Sequence, residues 1–222
     1  RAMGPAVHRR VDFADYLDVP LSAKSTRVQP AEDQLKALGA AVASSGAVAL
    51  FHIVGVTPEA PTLEAAFQGR QPVQVVDVTM DTLRQARREL TTAEGNRLDM
   101  VVLGSPHFSL AEFRQLAPLL ADRHTHPNVQ FLVTSSRGMV LLARQAGYLD
   151  PLERFGGKVT VDTCILASPM LPPEVTLLMT NSAKYAYYAP GLLGTHITFG
   201  SLADCVRSAV IGRVMRDEAG WE

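Results

Sequence analysis

Residues 100–112, MVVLGSPHFSLAE, carry the pattern that decides the fold. The first four residues form a short, continuous apolar run, which is typical of a strand buried on both faces of a parallel sheet. Ser109 and Glu112 then have the spacing of a capping box, which predicts the start of a helix. The stretch therefore predicts one strand–turn–helix unit.

The same unit recurs on both sides of this stretch. Further strands are predicted at residues 48–54 (VALFHIV), 73–78 (VQVVDV), 129–134 (VQFLVT), 158–162, 175–179 and 197–199. Helices are predicted between them, for example at residues 137–145, at 201–214, and after Thr57, where Pro58 and Glu59 are typical of a helix start. This alternation predicts an α/β fold, a three-layer domain with a mainly parallel sheet flanked by helices.

Composition excludes several classes of protein. The chain has 222 residues, of which 47% are hydrophobic, so we expect a globular core rather than disorder. With 21 Lys and Arg against 22 Asp and Glu, the net charge of −1 offers no electrostatic surface for nucleic acid or an anionic membrane. No apolar run reaches the roughly 18 residues of a membrane span. Two cysteines are too few for a disulfide scaffold, so we expect a soluble cytoplasmic protein.

The first 30 residues differ from the rest. They contain Pro5, Pro20 and Pro30, scattered charges and no sustained periodicity. We interpret residues 1–30 as an arm or linker from a preceding domain and residues 31–222 as the α/β domain. Because the chain does not begin with Met, we expect its start to be a processing or cutting point.

Polar residues follow the predicted strands, where ligands bind in open parallel sheets. At the carboxyl ends of four strands lie Ser105, His107, Ser135, Arg137, Thr163, Cys164, Asn181, Ser182 and Lys184. Beside several helix N-termini, this set suits an anionic group such as a carboxylate. Ordinary helix caps need the same hydroxyl and amide residues and remain an alternative. The residue pattern also leaves three roles open for Cys164: nucleophile, metal ligand or inert thiol.

Residues 181–191, NSAKYAYYAPG, resemble a characteristic segment of the aconitase X family. Flanking pieces agree with this resemblance over roughly residues 31–214: GVTPEA at 55–60, GSPHFS at 104–109, VDTC at 161–164 and GSLADCV at 200–206. The 181–191 segment is specific, whereas the cap-like pieces are weak when taken alone.

The resemblance implies an aconitase-like fold and a hydro-lyase that uses iron, commonly as an iron–sulfur cluster. The bacterial branch of the family dehydrates cis-3-hydroxy-L-proline to pyrroline-2-carboxylate, and an archaeal branch dehydrates a phosphorylated mevalonate. The GSPHFS piece resembles the bacterial branch more closely. Some archaeal members have cysteine where this chain has Ser105, so the resemblance implies a smaller or differently held iron centre here.

The resemblance also implies roles for individual residues. Cys164 is expected to ligate the metal, because thiolates suit iron–sulfur chemistry. Lys184 and Ser182 are the catalytic candidates. The substrate-binding candidates are Ser105, His107, Ser135, Arg137, Thr163, Asn181 and Tyr185.

Family members are longer than this chain. The resemblance implies that the chain matches the carboxyl-terminal part of the large catalytic portion. Its expected partners are a small hydroxy-acid substrate together with the remaining catalytic and swivelling domains. Three alternatives stay open: a mevalonate 5-phosphate dehydratase, a non-catalytic carboxylate-binding module, and a nucleotide-binding domain, which the missing glycine fingerprint disfavours.

Overall fold

A computed structural model of the chain describes residues 7–10 and 30–221. The strands are β1 (Val7–Arg10), β2 (Gln74–Asp77), β3 (Met100–Phe108), β4 (Gln130–Ser135), β5 (Lys158–Val161), β6 (Leu177–Thr180) and β7 (His196–Phe199). The helices are α1 (Glu32–Gly46), α2 (Leu63–Phe67), α3 (Met80–Glu89), α4 (Leu110–Leu120), α5 (Arg137–Gln145), α6 (Leu149–Phe155), α7 (Ala183–Leu193) and α8 (Leu202–Ile211). A short 3₁₀ helix covers Ile165–Ala167.

Five strands form the central sheet in the order β5-β4-β3-β6-β7, and every neighbouring pair is parallel. The predicted parallel sheet is therefore confirmed, and the carboxyl ends of its strands meet at one edge. Strands β1 and β2 pair in a separate parallel ribbon.

Apolar clusters cover both faces of the central sheet. One cluster packs α4, α5, α6 and α8 against side chains such as Val101 and Phe131. The other packs α7 and the 3₁₀ helix against side chains such as Val102 and Leu178. Neighbouring residues of one strand, Val101 and Val102, thus enter opposite clusters, as side-chain alternation along a strand requires. The resulting helix–sheet–helix layers confirm the predicted fold class.

Strand β3 is longer than predicted because it continues through a bulge. Its pairing with β4 is regular from Met100 to Leu103, then shifts before Phe108. Gly104 has a φ of +91°, and its missing Cβ leaves room for the Thr134 carbonyl oxygen. The Thr134 hydroxyl donates to the Gly104 carbonyl oxygen at 2.6 Å. The bulge lifts residues 104–107 away from the ladder at the carboxyl edge.

The prediction of a strand at residues 48–54 is wrong, and so is the prediction that a helix starts at residues 57–59. Residues 47–53 have no regular structure, and Leu50 is 67% exposed. An extended run needs a neighbouring strand to satisfy its backbone, and no described residue supplies one here. Thr57 instead closes a turn, since its backbone N–H donates to the Ile53 carbonyl oxygen at 2.9 Å. Helix α2 begins later and is capped by Thr62.

Helix ends agree better with the sequence. The predicted capping box at Ser109 is present, and Ser201 forms a second capping box with Asp204. Helix α8 ends at Ile211 rather than Val214, because Gly212 takes a left-handed conformation. Part of the predicted arm is strand β1, and residues 1–6 and 11–29 lie outside the described residues. Among the described helices, none combines the length and apolar character that crossing a bilayer requires.

Candidate functional site

The carboxyl edge of the sheet gathers most of the predicted site residues. Two hydrogen bonds tie its loops together. The Ser182 hydroxyl, after β6, donates to the Ser105 carbonyl oxygen in the β3 bulge. The His107 imidazole lies 2.9 Å from the Thr163 carbonyl oxygen after β5, and because that oxygen only accepts, Nε2–H is the donor. Segments 105–107, 163–164 and 181–184 thus form one connected surface, which we call the carboxyl-edge site.

Several side chains in the carboxyl-edge site keep their polar groups available. Asn181, Lys184, Thr163 and Cys164 are all half-buried. None of the four side chains forms a hydrogen bond or ion pair with another described residue. Half-buried groups with unspent bonding capacity are the ones that a ligand can satisfy.

Other predicted contacts are engaged within the protein. The Ser182 hydroxyl donates to Ser105 and also accepts the Tyr185 backbone N–H at 3.1 Å, so it caps α7. The Ser135 hydroxyl is fully buried and donates to the Phe108 carbonyl oxygen at 2.6 Å. Ser105 is 5% exposed. The cap alternative raised from the sequence therefore describes Ser182, and Ser135 cannot touch a ligand in this conformation.

Tyr185 lies inside the domain rather than at its surface. Its side chain is 0% exposed, and its hydroxyl has no hydrogen-bond partner among the described residues. Burial, and then the charge of neighbouring Cys164, raise the pKa of Tyr185 above its ordinary value. Tyr185 packs with Ile165 in the apolar cluster formed by α7, the 3₁₀ helix and the sheet, so it cannot contact a substrate in this conformation.

Arg137 lies at the rim of the carboxyl edge. Its guanidinium is 82% exposed and pairs with the Asp162 carboxylate at 3.0 Å. The Asp162 carboxylate also accepts the Arg137 backbone N–H at 2.9 Å, at the start of α5. Exposed ion pairs contribute little to stability, so this guanidinium can exchange its partner for a ligand anion.

The N-terminus of α7 gives the carboxyl-edge site a positive character. The helix has eleven residues and begins at Ala183, directly after the Ser182 cap. The unsatisfied N–H groups of a first turn carry about half a positive charge, and Lys184 adds a full one. No acidic residue lies in that turn. This arrangement favours a carboxylate.

The two cysteines have different environments. Cys205 is fully buried on α8, and burial together with Asp204 raises its pKa well above the ordinary range. Cys164 is half-buried at the carboxyl edge. No group of three or more His, Cys, Asp or Glu side chains in the described part of the chain could hold a metal. Cys164 could thus supply at most one ligand of a metal centre, together with residues outside the described part of the chain or outside the chain.

A charged cluster that the sequence did not predict lies beside this site. Lys36 of α1 contacts Asp33, Glu112 and the His107 carbonyl oxygen. Glu112 was recognised only as part of a capping box. The i,i+3 spacing of Asp33 and Lys36 was the one local signal, because Glu112 lies 76 residues from Lys36.

A hollow of about 450 Å³ lies at the opposite edge of the sheet. Its lining includes Asp99, Gln130 and Val175, which stand at the amino ends of β3, β4 and β6. The length of the sheet separates it from Cys164 and Lys184, so we do not assign it to the carboxyl-edge site.

Residues 98–211 match the family model of the aconitase X third domain, and residues 14–88 match that of the aconitase X second domain. The crystal structure of Thermococcus kodakaraensis aconitase X in its holo-form superposes with a TM-score of 0.69 and 28% identity, covering 80% of this chain and 44% of that one.

Curated relatives agree. The chain is 50% identical over 195 residues to a cis-3-hydroxy-L-proline dehydratase of Pseudomonas aeruginosa, covering 87% of this chain and 34% of that protein. It is 46% identical to the protein of the same name from Hypocrea jecorina, covering 83% and 32%. It is 38% identical to a phosphomevalonate dehydratase large subunit of Methanothermobacter thermautotrophicus, covering 80% and 43%. The chain thus spans about a third of the length of the first two relatives.

Proposed function

The chain belongs to the aconitase X family, and on that premise we propose that the protein carrying it is a hydro-lyase of a small hydroxy acid. Its substrate is cis-3-hydroxy-L-proline and its product pyrroline-2-carboxylate. The 50% identity to a dehydratase of that substrate, over 87% of this chain, carries the proposal. The polar side chains of the carboxyl-edge site that have no hydrogen-bond partner among the described residues support the proposal independently.

In this proposal the chain supplies one side of the active site. Lys184 and the N-terminus of α7 bind the substrate carboxylate, and Asn181 orients it through its amide. Thr163 adds a hydroxyl nearby, whereas the buried Ser105 acts through its carbonyl oxygen, which accepts the Ser182 hydroxyl. His107 holds the two loops in place through the Thr163 carbonyl oxygen. Arg137 meets the substrate only if its side chain leaves Asp162. Ser182 supports catalysis by fixing Ser105 and α7. Ser135 and Tyr185 do not contact the substrate: Ser135 fixes the Phe108 carbonyl oxygen, and Tyr185 packs in the apolar cluster beneath α7.

Dehydration removes the C2 proton and the C3 hydroxide as water. Membership of an aconitase-like dehydratase family suggests a metal or iron–sulfur cofactor. We assign it as iron, held in part by Cys164, which when bound supplies Lewis acidity at the departing hydroxyl. The base for the C2 proton belongs to the swivelling domain that the family resemblance implies. The remaining catalytic portion and that domain are the partners of this chain.

A phosphorylated mevalonate is the second candidate substrate. Its support is the 38% identity to a phosphomevalonate dehydratase large subunit. The positive end of α7 suits a phosphate as well as a carboxylate, so the geometry alone does not separate the two. The higher identity to the hydroxyproline enzymes favours cis-3-hydroxy-L-proline.

The test is an assay of the full-length protein with each substrate, for wild type, Lys184→Met and Lys158→Met. Lys158 is the matched control, since it is exposed at the amino end of β5. We expect turnover of cis-3-hydroxy-L-proline and a KM raised about tenfold in Lys184→Met, because a charged hydrogen bond is lost. Lys158→Met should match wild type. Turnover of mevalonate 5-phosphate alone would select the second substrate. Carboxylate binding without turnover of either would select the non-catalytic module.

A further inference from the structure

One lysine joins helix α1 to the start of helix α4. The Lys36 ammonium lies 2.5 Å from a Glu112 carboxylate oxygen and 2.8 Å from an Asp33 carboxylate oxygen. The other Asp33 oxygen accepts the Ser109 hydroxyl at 2.7 Å. These four side chains, which we call the α1–α4 cluster, connect the segments that match the second and third family domains.

The α1–α4 cluster is shielded from solvent, so its charges interact strongly. The Lys36 side chain is 29% exposed, and those of Asp33 and Glu112 are each 20% exposed. Burial opposes the charge on Lys36, but hydrogen bonds to both carboxylates outweigh it and raise the Lys36 pKa. Burial raises the pKa of Glu112 above its ordinary value, although the hydrogen bond from Lys36 opposes that rise. Lys36 thus remains charged while it is shared between two acids.

The reach of Lys36 extends beyond the two carboxylates. Its ammonium also donates to the His107 carbonyl oxygen at 3.1 Å, inside the β3 bulge. The His107 imidazole in turn donates to the Thr163 carbonyl oxygen at 2.9 Å. Thr163 directly precedes Cys164. An unbroken series of hydrogen bonds therefore runs from α1 to the backbone that presents Cys164.

From this geometry we infer that Lys36 is a positioning residue: through His107 it fixes the segment that carries Cys164. The ammonium places the bulge, the bulge places the imidazole, and the imidazole anchors the Thr163–Cys164 backbone. A salt bridge that merely fastened α1 to α4 would need no contact with the His107 carbonyl oxygen. The consequence for catalysis rests on the proposed function, whereas the mechanical coupling does not.

The test measures how fast iodoacetamide alkylates Cys164 in the full-length protein after metal removal by a chelator, read by peptide mass spectrometry. We expect Lys36→Met to speed alkylation about fivefold, because freeing the anchor raises local opening of the segment. Cys205, which is fully buried, should stay unreactive and reports that the fold is intact. Arg88→Met is the matched control, since Arg88 is an exposed cation on α3. It should leave the Cys164 rate unchanged.

A double-mutant cycle separates positioning from general support. If Lys36 acts through His107, then Lys36→Met should add nothing to the alkylation rate once His107→Ala is present. Should Lys36→Met fail to fold, Lys36→Arg decides, with an expected rise of about twofold, because a planar guanidinium cannot copy three contacts of an ammonium. An unchanged Cys164 rate in a folded Lys36 variant, or additive effects with His107→Ala, overturns the inference. Absence of dehydratase activity would count against the proposed function and leave the alkylation result valid.

Discussion

Two regions of the molecule use apolar residues in opposite ways. Residues 98–211 bury them in two clusters on either face of the sheet. Residues 31–96 contain only two buried residues, Ala60 and Arg87, and expose large apolar side chains such as Leu50 and Val73. The apolar runs look alike in the sequence. An apolar run therefore predicts side chains that are more stable when buried, but not whether they become buried. Burial depends on neighbouring elements, and among the described residues none covers the apolar side chains of residues 31–96.

The largest expected contrast between the regions concerns two left-handed glycines. In Gly104→Ala the new Cβ would lie 2.0 Å from the Thr134 carbonyl oxygen, so the bulge must move. We expect a loss of about 4 kcal/mol or more. Gly69→Ala meets open space and should cost about 1 to 2 kcal/mol, which is the left-handed backbone penalty alone. Urea unfolding of both variants measures the difference, and equal losses would break the contrast.

A matched leucine pair tests burial directly. Leu116 of α4 is 1% exposed in the apolar cluster that packs α4, α5, α6 and α8 against the sheet, whereas Leu50 is 67% exposed. Leu116→Ala should lower the unfolding free energy by about 3 kcal/mol, from lost transfer energy and a cavity. Leu50→Ala should change it by less than about 0.5 kcal/mol. Chemical denaturation at a constant m-value is the measurement. A loss above about 2 kcal/mol in Leu50→Ala would show that residues 31–96 have a core after all.

Sequence reasoning succeeded where a pattern is local and failed where a partner is distant. The strand at residues 129–134 and the helix at residues 137–145 were predicted almost to the residue, because apolar period and caps are local signals. The prediction of a strand at residues 48–54 failed because the run is apolar, as a buried strand requires, but no strand among the described residues pairs with it. Nothing in the sequence of residues 100–103 predicts that β3 continues through a bulge to Phe108.

The carboxyl-edge site divides along the same line. The rule that parallel strands share one carboxyl edge located Asn181, Lys184 and Cys164 correctly at that edge. The same rule does not predict that the Ser135 hydroxyl donates to the Phe108 carbonyl oxygen, 27 residues away, or that the Ser182 hydroxyl donates to the Ser105 carbonyl oxygen, 77 residues away. Only the tertiary structure separates a hydroxyl that is free for a ligand from one that serves as a cap.

Helix caps offer a smaller contrast. Ser201 caps α8 in a capping box, so Ser201→Ala should cost about 1 kcal/mol. Ala31 precedes α1 with the extended backbone of a cap but no side-chain acceptor. Ala31→Ser should therefore stabilise the chain by about 0.5 kcal/mol or more. Thermal unfolding of both variants measures these shifts. A destabilised Ala31→Ser would mean that the Gln34 side chain, which already accepts the Ala31 N–H, leaves no room for the new hydroxyl.

The smallest expected effect concerns the contact between residues 31–96 and the C-terminal segment at residues 217–221. Arg87 of α3 is buried by the C-terminal segment, where it pairs with Glu218 and stacks on Trp221 at 4.7 Å. The hydrogen bond from Arg87 lowers the Glu218 pKa below its ordinary value of 4.5. Because the folded-state pKa is depressed, the stabilisation is present above pH 4.5 and is lost as the pH falls through the folded-state value.

Glu218→Gln should therefore be less stable than wild type at pH 7, by less than about 1 kcal/mol since Glu218 is half exposed. The gap should close in acid below the Glu218 pKa. Urea midpoints of both proteins across pH 3 to 7 give the result. A gap that is independent of pH would deny any role for the ionised Glu218 in holding α3 to the C-terminal segment.

We propose that Cys164 makes this chain one side of an iron-dependent dehydratase site. The most direct test of this proposal is to measure iron content and conversion of cis-3-hydroxy-L-proline in the full-length protein, for wild type, Cys164→Ser and Cys205→Ala. Cys205→Ala removes the buried cysteine as a matched control. We predict that wild type and Cys205→Ala bind iron and form pyrroline-2-carboxylate, and that Cys164→Ser loses both. Iron and activity retained in Cys164→Ser would contradict the claim.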